Sequence, residues 1–386
     1  MEARADYSSD PMFFKNMNGG LSNAEFFWRD HYRFLEEEGY RLRPRYSPDW
    51  KPSWLNTNRD RFECEDGEPP WTVTTLPATR ISDGQIVALK HIWKKNTPTE
   101  VKTTRFFCNK RNASDPENHS VFCYDVLQSP IYKVAFLVMP FLMRVHDVRF
   151  ATVGEVMECL RQIFEGLRFI HRHNVAHRDI HVFNIMMDPM PLLSEIPHPV
   201  WERRSYVDPK RKVKQYTRTD HPVRYYIIDF GLSDKFSLGE PHISPIVLGG
   251  DKSAPEYKNA PGNCNPFHLD IYHLGSMIRQ DFIQESLSLG FMQPLVDQMT
   301  RERPEDRPTI EQAMQEFEQL LGSLSQRQLR SRYVYQDEIV GTFRAIRHVY
   351  RTTRWLVTRT PAVPTYIARD ADVNIPHSCF STRQRH

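Results

Sequence analysis

At 386 residues with a net charge of +3, 40% apolar and 26% charged, the chain is long enough for two or three compact units and too mixed for wholesale disorder or a fibrous repeat. Proline (28) outnumbers glycine (16), the reverse of average usage, so fixed turns prevail over flexible loops. Residues 325–386 hold 11 Arg against 4 Asp or Glu, a basic tail suited to an acidic partner or to phosphates, or simply a solvated surface.

In chain order, Ser22 to Glu38 repeats Phe26, Phe27, Tyr32, Phe34 and Leu35 at helical spacing before Gly39, which predicts one amphipathic helix. A Pro- and Trp-rich connector follows. Strand-like runs then appear at Thr72–Leu76, Gln85–Ile92, Val121–Leu127 and Val134–Met139, with one helix among them. From Val153 the period becomes helical, with Val156, Leu160, Ile163, Phe164, Leu167 and Ile170 on one stripe. Pro189–Pro222 reads as an irregular insertion with the basic run Lys210–Lys214. Helical patterns resume at Leu269–Ile278, at Ile310–Leu321 and, in the tail, at Glu338–Val357, where Ile339, Val340, Phe343, Ile346, Val349 and Tyr350 lie close to one face. The six cysteines form no C-x-x-C pair and no metal-type spacing, which reads as reduced thiols of an intracellular protein, cytoplasmic or nuclear. The longest apolar run, Val134–Met143, is far short of the ~20 residues of a spanning helix, so no membrane span is expected.

Four motifs stand in a meaningful order: Val87-Ala88-Leu89-Lys90, His177-Arg178-Asp179 with Asn184 beyond it, Asp229-Phe230-Gly231, and Ala254-Pro255-Glu256. Together they resemble the signature set of the protein kinase superfamily. Asp270–Gly275 resembles that family's central helix, and Arg307-Pro308-Thr309 the segment whose Arg pairs with the Glu of Ala-Pro-Glu. Ala78–Gly84 and Arg224-Tyr225-Tyr226 look like a divergent fungal group within it.

The resemblance implies an α+β, protein kinase-like bilobal fold: a small antiparallel β-sheet N-lobe with one helix, and a mostly helical C-lobe. The expected domains are an N-terminal helical extension and connector (1–66), the N-lobe and hinge (67–142), the C-lobe (143–324) with the insertion 189–222, and the basic tail (325–386) with a helix over 338–357. It further implies transfer of the ATP γ-phosphate to protein hydroxyls, Ser or Thr ahead of Tyr, with ATP and Mg²⁺ as cofactors. Such a loose, charge-spread transition state needs cations and metal ligands that converge. Lys90 would hold the α- and β-phosphates, and Asp229 and Asn184 would ligate Mg²⁺. Asp179 would accept or orient the hydroxyl proton, with Arg178 and His181 beside it. Met139 falls at the gatekeeper position, the Pro140 carbonyl and Leu142 backbone would hold adenine, and Ala88 and Met186 would sandwich its ring. A protein substrate and a nucleotide are the implied partners, and no specific nucleic acid is expected.

The pattern departs in three places. The stretch aligned with the glycine-rich phosphate loop, Gly67-Glu68-Pro69-Pro70-Trp71-Thr72-Val73, has one glycine, two prolines without N–H, and an acid that would repel phosphate. His181 replaces a lysine, and an imidazole mostly neutral at pH 7 neutralises less charge. Glu100 either pairs with Lys90 or caps its own helix in a Thr97-Pro98-Thr99-Glu100 box, with Lys102 as an alternative occupant of the pairing position. Ser237, Ser244 and Ser253 are possible phosphosites, and Gly249 stands where a threonine is usual. The leading expectation is a slow kinase, and the alternative a pseudokinase that binds or scaffolds without turnover.

Overall fold

The structure, a computed structural model, describes residues 20–70, 72, 74–190, 192–201, 203–247, 251–259, 262–338 and 341–367. Trp71, Val73, Gly249, Ile339, Val340 and Cys379 lie outside the described residues. The chain forms two compact units.

The first unit comprises the described residues of Met1–Asn96 together with Cys123–Phe141 and Glu195–Lys214. Its centre is an antiparallel sheet in the order β1-β2-β3-β5-β4, with β1 at Tyr40–Arg41, β2 at Thr75–Arg80, β3 at Ile86–Trp93, β4 at Asp125–Gln128 and β5 at Val134–Pro140. Gly84, at φ +73°, permits the tight β2–β3 turn. The single helix expected before Gly39 is two, α1 (Asn23–Asp30) and α2 (Tyr32–Glu37), broken at His31, whose Nδ1 contacts the Phe27 carbonyl at 2.7 Å. Ser22 and Glu25 close a capping box on α1. Trp28 and Leu35 pack with Leu76, Val87, Leu89, Phe136 and Val138, so the N-terminal segment, expected as an extension, completes the core of the sheet.

The second unit comprises Thr97–Phe122, Leu142–Ser194 and the described residues of Gln215–His386. It contains α3 (Glu100–Phe107), β6 (Met143–Arg144), α4 (Val153–Arg172), β7 (Val175–Ala176), β8 (Ile185–Met187), β9 (Tyr225–Ile227), β10 (Asp234–Lys235), α5 (Pro266–Met277), α6 (Ile310–Ser323) and α7 (Gly341–Val357). The whole expected stripe of α4 is buried. The helix expected with the sheet, α3, therefore groups with the helical unit, and the insertion expected within the helical unit is divided between both. Nor is the insertion wholly irregular: bridges join Pro197 to Ser205 and Arg204 to Lys212. Its far end is anchored by buried Arg218, which donates to the carbonyls of Val148 (2.9 Å) and Val145 (2.8 Å). The tail helix departs most from expectation. Trp355 is its buried residue, whereas Phe343, Ile346, Val349 and Tyr350 are exposed.

Candidate active site

In the helical unit, the loop between β7 and β8 carries Arg178, Asp179, His181 and Asn184. Arg178 has φ +69°, a strained conformation for a long side chain, and needs external support. Fully buried Asp270 of α5 supplies it, accepting the N–H of His177 at 2.7 Å and of Arg178 at 2.6 Å. His171 meets the same carboxylate at 2.9 Å. Although burial pushes the Asp270 carboxyl up, His171, His177 and the Arg178 N–H together outweigh it and hold the group below its ordinary range. The Nδ1 of His177 accepts the Asp179 N–H (3.3 Å), so its Nε2 carries the proton and donates to the Ile228 carbonyl (3.0 Å). Burial lowers the His177 pKa, in keeping with that neutral form. The Arg178 guanidinium donates to the Pro245 carbonyl and stands 3.4 Å from Asp234.

Asp179 is held on one side only. Asn184 Nδ2 donates to its main-chain oxygen (2.9 Å) and to Oδ2 (3.1 Å), and His181 Nε2 lies 3.5 Å from Oδ2. The other oxygen, Oδ1, is buried with no hydrogen-bond partner. Burial pushes the Asp179 pKa up, but His181 and His177 together outweigh it, and the net shift is downward. The reciprocal effect falls on His181. Burial lowers its pKa, Asp179 more than restores it, and the net shift is upward. The His181 Nδ1 accepts the Phe183 N–H at 3.2 Å, a bond that the neutral ring makes and an imidazolium does not.

Asp229 occupies the left-handed region (φ +66°, ψ 74°), and its Oδ1 accepts the Gly231 N–H at 3.2 Å. Phe230, 1% exposed, anchors that turn between Phe107 of α3 (ring centroids 5.1 Å apart) and His177 (5.2 Å). A Cβ on Gly231 would stand 3.2 Å from Glu100 Oε2 and 3.0 Å from Asp229 Oδ1, so both carboxylates flank this backbone and only glycine fits without displacing them. The capping-box reading of Glu100 is corrected: the N-cap is Thr99, it makes no side-chain cap bond, and Glu100 is 3% exposed. Lys102 is exposed. Of the possible phosphosites, Ser237 and Ser253 are exposed, but Ser244 is buried on a bridged strand. Leu142 and Met186 also belong to this unit, both half-buried, with Met186 opposite Tyr226 on β8.

Ala88, Lys90, Met139 and Pro140 belong to the sheet unit. Val87 and Leu89 face the core with α1 and α2, so Ala88 and Lys90 lie on the other face, with Met139 opposite Ala88 and Leu137 opposite Lys90. The stretch aligned with the phosphate loop belongs to a long connector, residues 42–74, between β1 and β2. Glu68 is bound there by Arg61, whose Nε donates at 2.7 Å, so its charge is compensated rather than left to repel phosphate. Gly67 has a packing reason of its own, because a Cβ there would fall 1.9 Å from the Arg61 carbonyl oxygen. Arg43–Glu65 (2.7 Å), Arg45–Glu25 (2.6 Å) and the Asp66 carboxylate, which accepts from Trp50 and Ser53, pin the connector.

Sequence reasoning assigned no role to Asp270, to the Arg61–Glu68 pair or to His198. An Asp set among the apolar residues of the predicted helix Leu269–Ile278 was the available signal for the first. The other two join residues that no local pattern links.

A family model described as "Protein kinase domain" matches residues 73–289, more than half of the chain. The chain belongs to the protein kinase family. No curated protein matches it.

Proposed function

We propose that the protein transfers the γ-phosphate of ATP to Ser or Thr hydroxyls of a protein substrate. The observation that carries this reading is the one-sided hold on Asp179, which leaves Oδ1 buried and unpaired where a hydroxyl donor can satisfy it. Asp179 accepts the hydroxyl proton, while Asn184 and His181 fix its orientation. His181 stands beside the same carboxylate at the position where serine/threonine kinases carry a lysine. Asp229 offers a full carboxylate. Asn184, its Nδ2 spent on Asp179, offers Oδ1, and these two oxygen donors fit Mg²⁺, which takes one or two protein ligands and keeps waters and phosphates for the rest. When bound, that ion would neutralise charge on the phosphates. Lys90 is the residue proposed to hold the α- and β-phosphates, and Ala88, Met139, Pro140, Leu142 and Met186 the adenine. The buried thiols of Cys64, Cys108, Cys123 and Cys159 support an intracellular setting.

A second reading, a pseudokinase that binds without turnover, is favoured by the pinned connector in place of a glycine-rich loop. Radiolabelled phosphate transfer by the wild-type chain, with Asp179→Asn as control, separates them. Transfer lost in the variant supports the kinase. Mg²⁺-dependent ATP binding with no transfer to any hydroxyl acceptor supports the pseudokinase.

A further inference from the structure

The tail helix α7 is docked along one side only. Trp355, 1% exposed, donates from Nε1 to Asp220 Oδ1 at 2.7 Å, Arg354 binds the same carboxylate, and Arg330 donates to the Thr360 carbonyl at 2.5 Å. At 100° per residue, Phe343, Ile346, Val349, Tyr350, Leu356 and Val357 lie about 100–180° around the helix from Trp355. Their exposures run from 59% for Leu356 to 82% for Phe343. An apolar stripe that would ordinarily face a core faces solvent instead. Arg344, Arg347, Arg351 and Arg354 occupy the arc between the stripe and Trp355, with Arg347 and Arg354 bordering the stripe and Arg344 and Arg351 within about 40° of Trp355, and residues 341–357 contain no Asp or Glu.

We propose that the outward face of α7 lies in the plane of an anionic lipid surface, the six apolar side chains sinking among the acyl chains and the exposed guanidinium groups of Arg347 and Arg344 meeting the headgroups. An exposed apolar stripe bordered by arginine is the composition of an in-plane interfacial helix. It is no spanning element, since none of the described helices is long and apolar enough to cross a membrane. Charge argues against a second copy as the occupant, because pairing two such faces brings together arginines with no Asp or Glu on either helix to offset them. Docking argues against a groove that wraps a helix, because the Trp355 side is already committed to the body of the unit. A planar surface needs only the half that is free.

The test uses the full chain and sedimentation with vesicles of phosphatidylcholine alone or with about 30% phosphatidylserine, at low and high salt. The expected result is partitioning onto the anionic vesicles at least about tenfold stronger than onto neutral ones, weakened by salt. Phe343→Ser with Ile346→Ser, both at exposed positions, should lower it about tenfold or more without moving the melting temperature, and Arg347→Gln about fivefold. Failure to bind anionic vesicles, or binding unchanged in the double variant, overturns the proposal. So does a micromolar monomer–dimer equilibrium abolished by the double variant, which would give the face to a second copy. Tight binding to calcium-loaded calmodulin, used as an acidic helix-wrapping probe, without vesicle binding would equally overturn it.

Discussion

Asn184 holds Asp179 through Oδ2 and the main-chain oxygen, at 3.1 and 2.9 Å, and leaves Oδ1 buried without a partner. An unpaired buried acceptor costs free energy until something donates to it. If that donor is a substrate hydroxyl, Asp179→Asn should lower phosphate transfer by about 10²- to 10⁴-fold, the usual worth of a positioned base. Nucleotide binding and melting temperature should hardly change. Single-turnover transfer assays beside thermal melts would check this, and an equal loss of stability would mark Asp179 as structural.

Asp229→Asn isolates charge from backbone strain. Asparagine tolerates the left-handed conformation that Asp229 adopts at φ +66°, so the turn should persist while a full negative charge is lost. The upward shift in melting temperature that Mg²⁺ adds to ATP binding should shrink or vanish in the variant. A wild-type protein with no Mg²⁺-dependent shift would show that Asp229 binds no metal.

Arg307 and Glu256 form a bidentate pair at 2.6 and 2.8 Å with side chains 0% and 6% exposed, and Arg307 also donates to the carbonyls of Arg301 and His268. Removing the guanidinium strands a buried carboxylate and several carbonyls. Arg307→Ala should therefore cost about 3–5 kcal/mol of stability. Urea unfolding measures it, and an unchanged midpoint would mean the pair contributes nothing net.

With its Glu68 side chain bound to Arg61 and its backbone pinned by Arg43, Arg45 and Asp66, the connector lacks a run of free glycine amides to close on a γ-phosphate. ADP should bind about as tightly as ATP, and turnover should fall below the ~1–100 s⁻¹ usual for kinases. Isothermal titration with both nucleotides decides the first point. A strong ATP preference would require phosphate contacts from outside the described connector.

Acid should release the insertion from the connector. His198 accepts the N–H groups of Val200 and Trp201 at Nδ1, so its Nε2 donates to Glu65 at 3.0 Å in the neutral form. Burial lowers the His198 pKa. Glu65, pushed up by burial but more strongly down by His198 and Arg43, falls to about 2. Both folded values lie below their unfolded ones, so both contributions are complete at high pH. The histidine's begins to fade as pH falls below about 6.5, and the carboxylate's as it falls from about 4.5 toward 2. Amide protection factors, with the intrinsic pH dependence of exchange divided out, should fall across residues 196–201 and 203–213 between pH 7.5 and pH 5, and His198→Gln, which cannot titrate, should flatten that step.

The family was legible in the amino-acid sequence, and so was the local grouping of the candidate site residues. His177–Asp179, Asn184 and Asp229–Gly231 are local motifs whose chemistry depends on residue type and short spacing. The α4 stripe was legible for the same reason, since helical period is a local property and its core side is buried. Tertiary structure alone decided the rest. Asp270 supports Arg178 across 92 residues of sequence, and Glu65 meets His198 across 133, separations over which no pattern can pair a carboxylate with its donor. The stripe of α7 shows the limit most clearly. Periodicity reports that a helix has an apolar face, but which face is buried depends on where partners stand, and here Asp220 claims Trp355 and leaves Phe343, Ile346 and Tyr350 to the solvent.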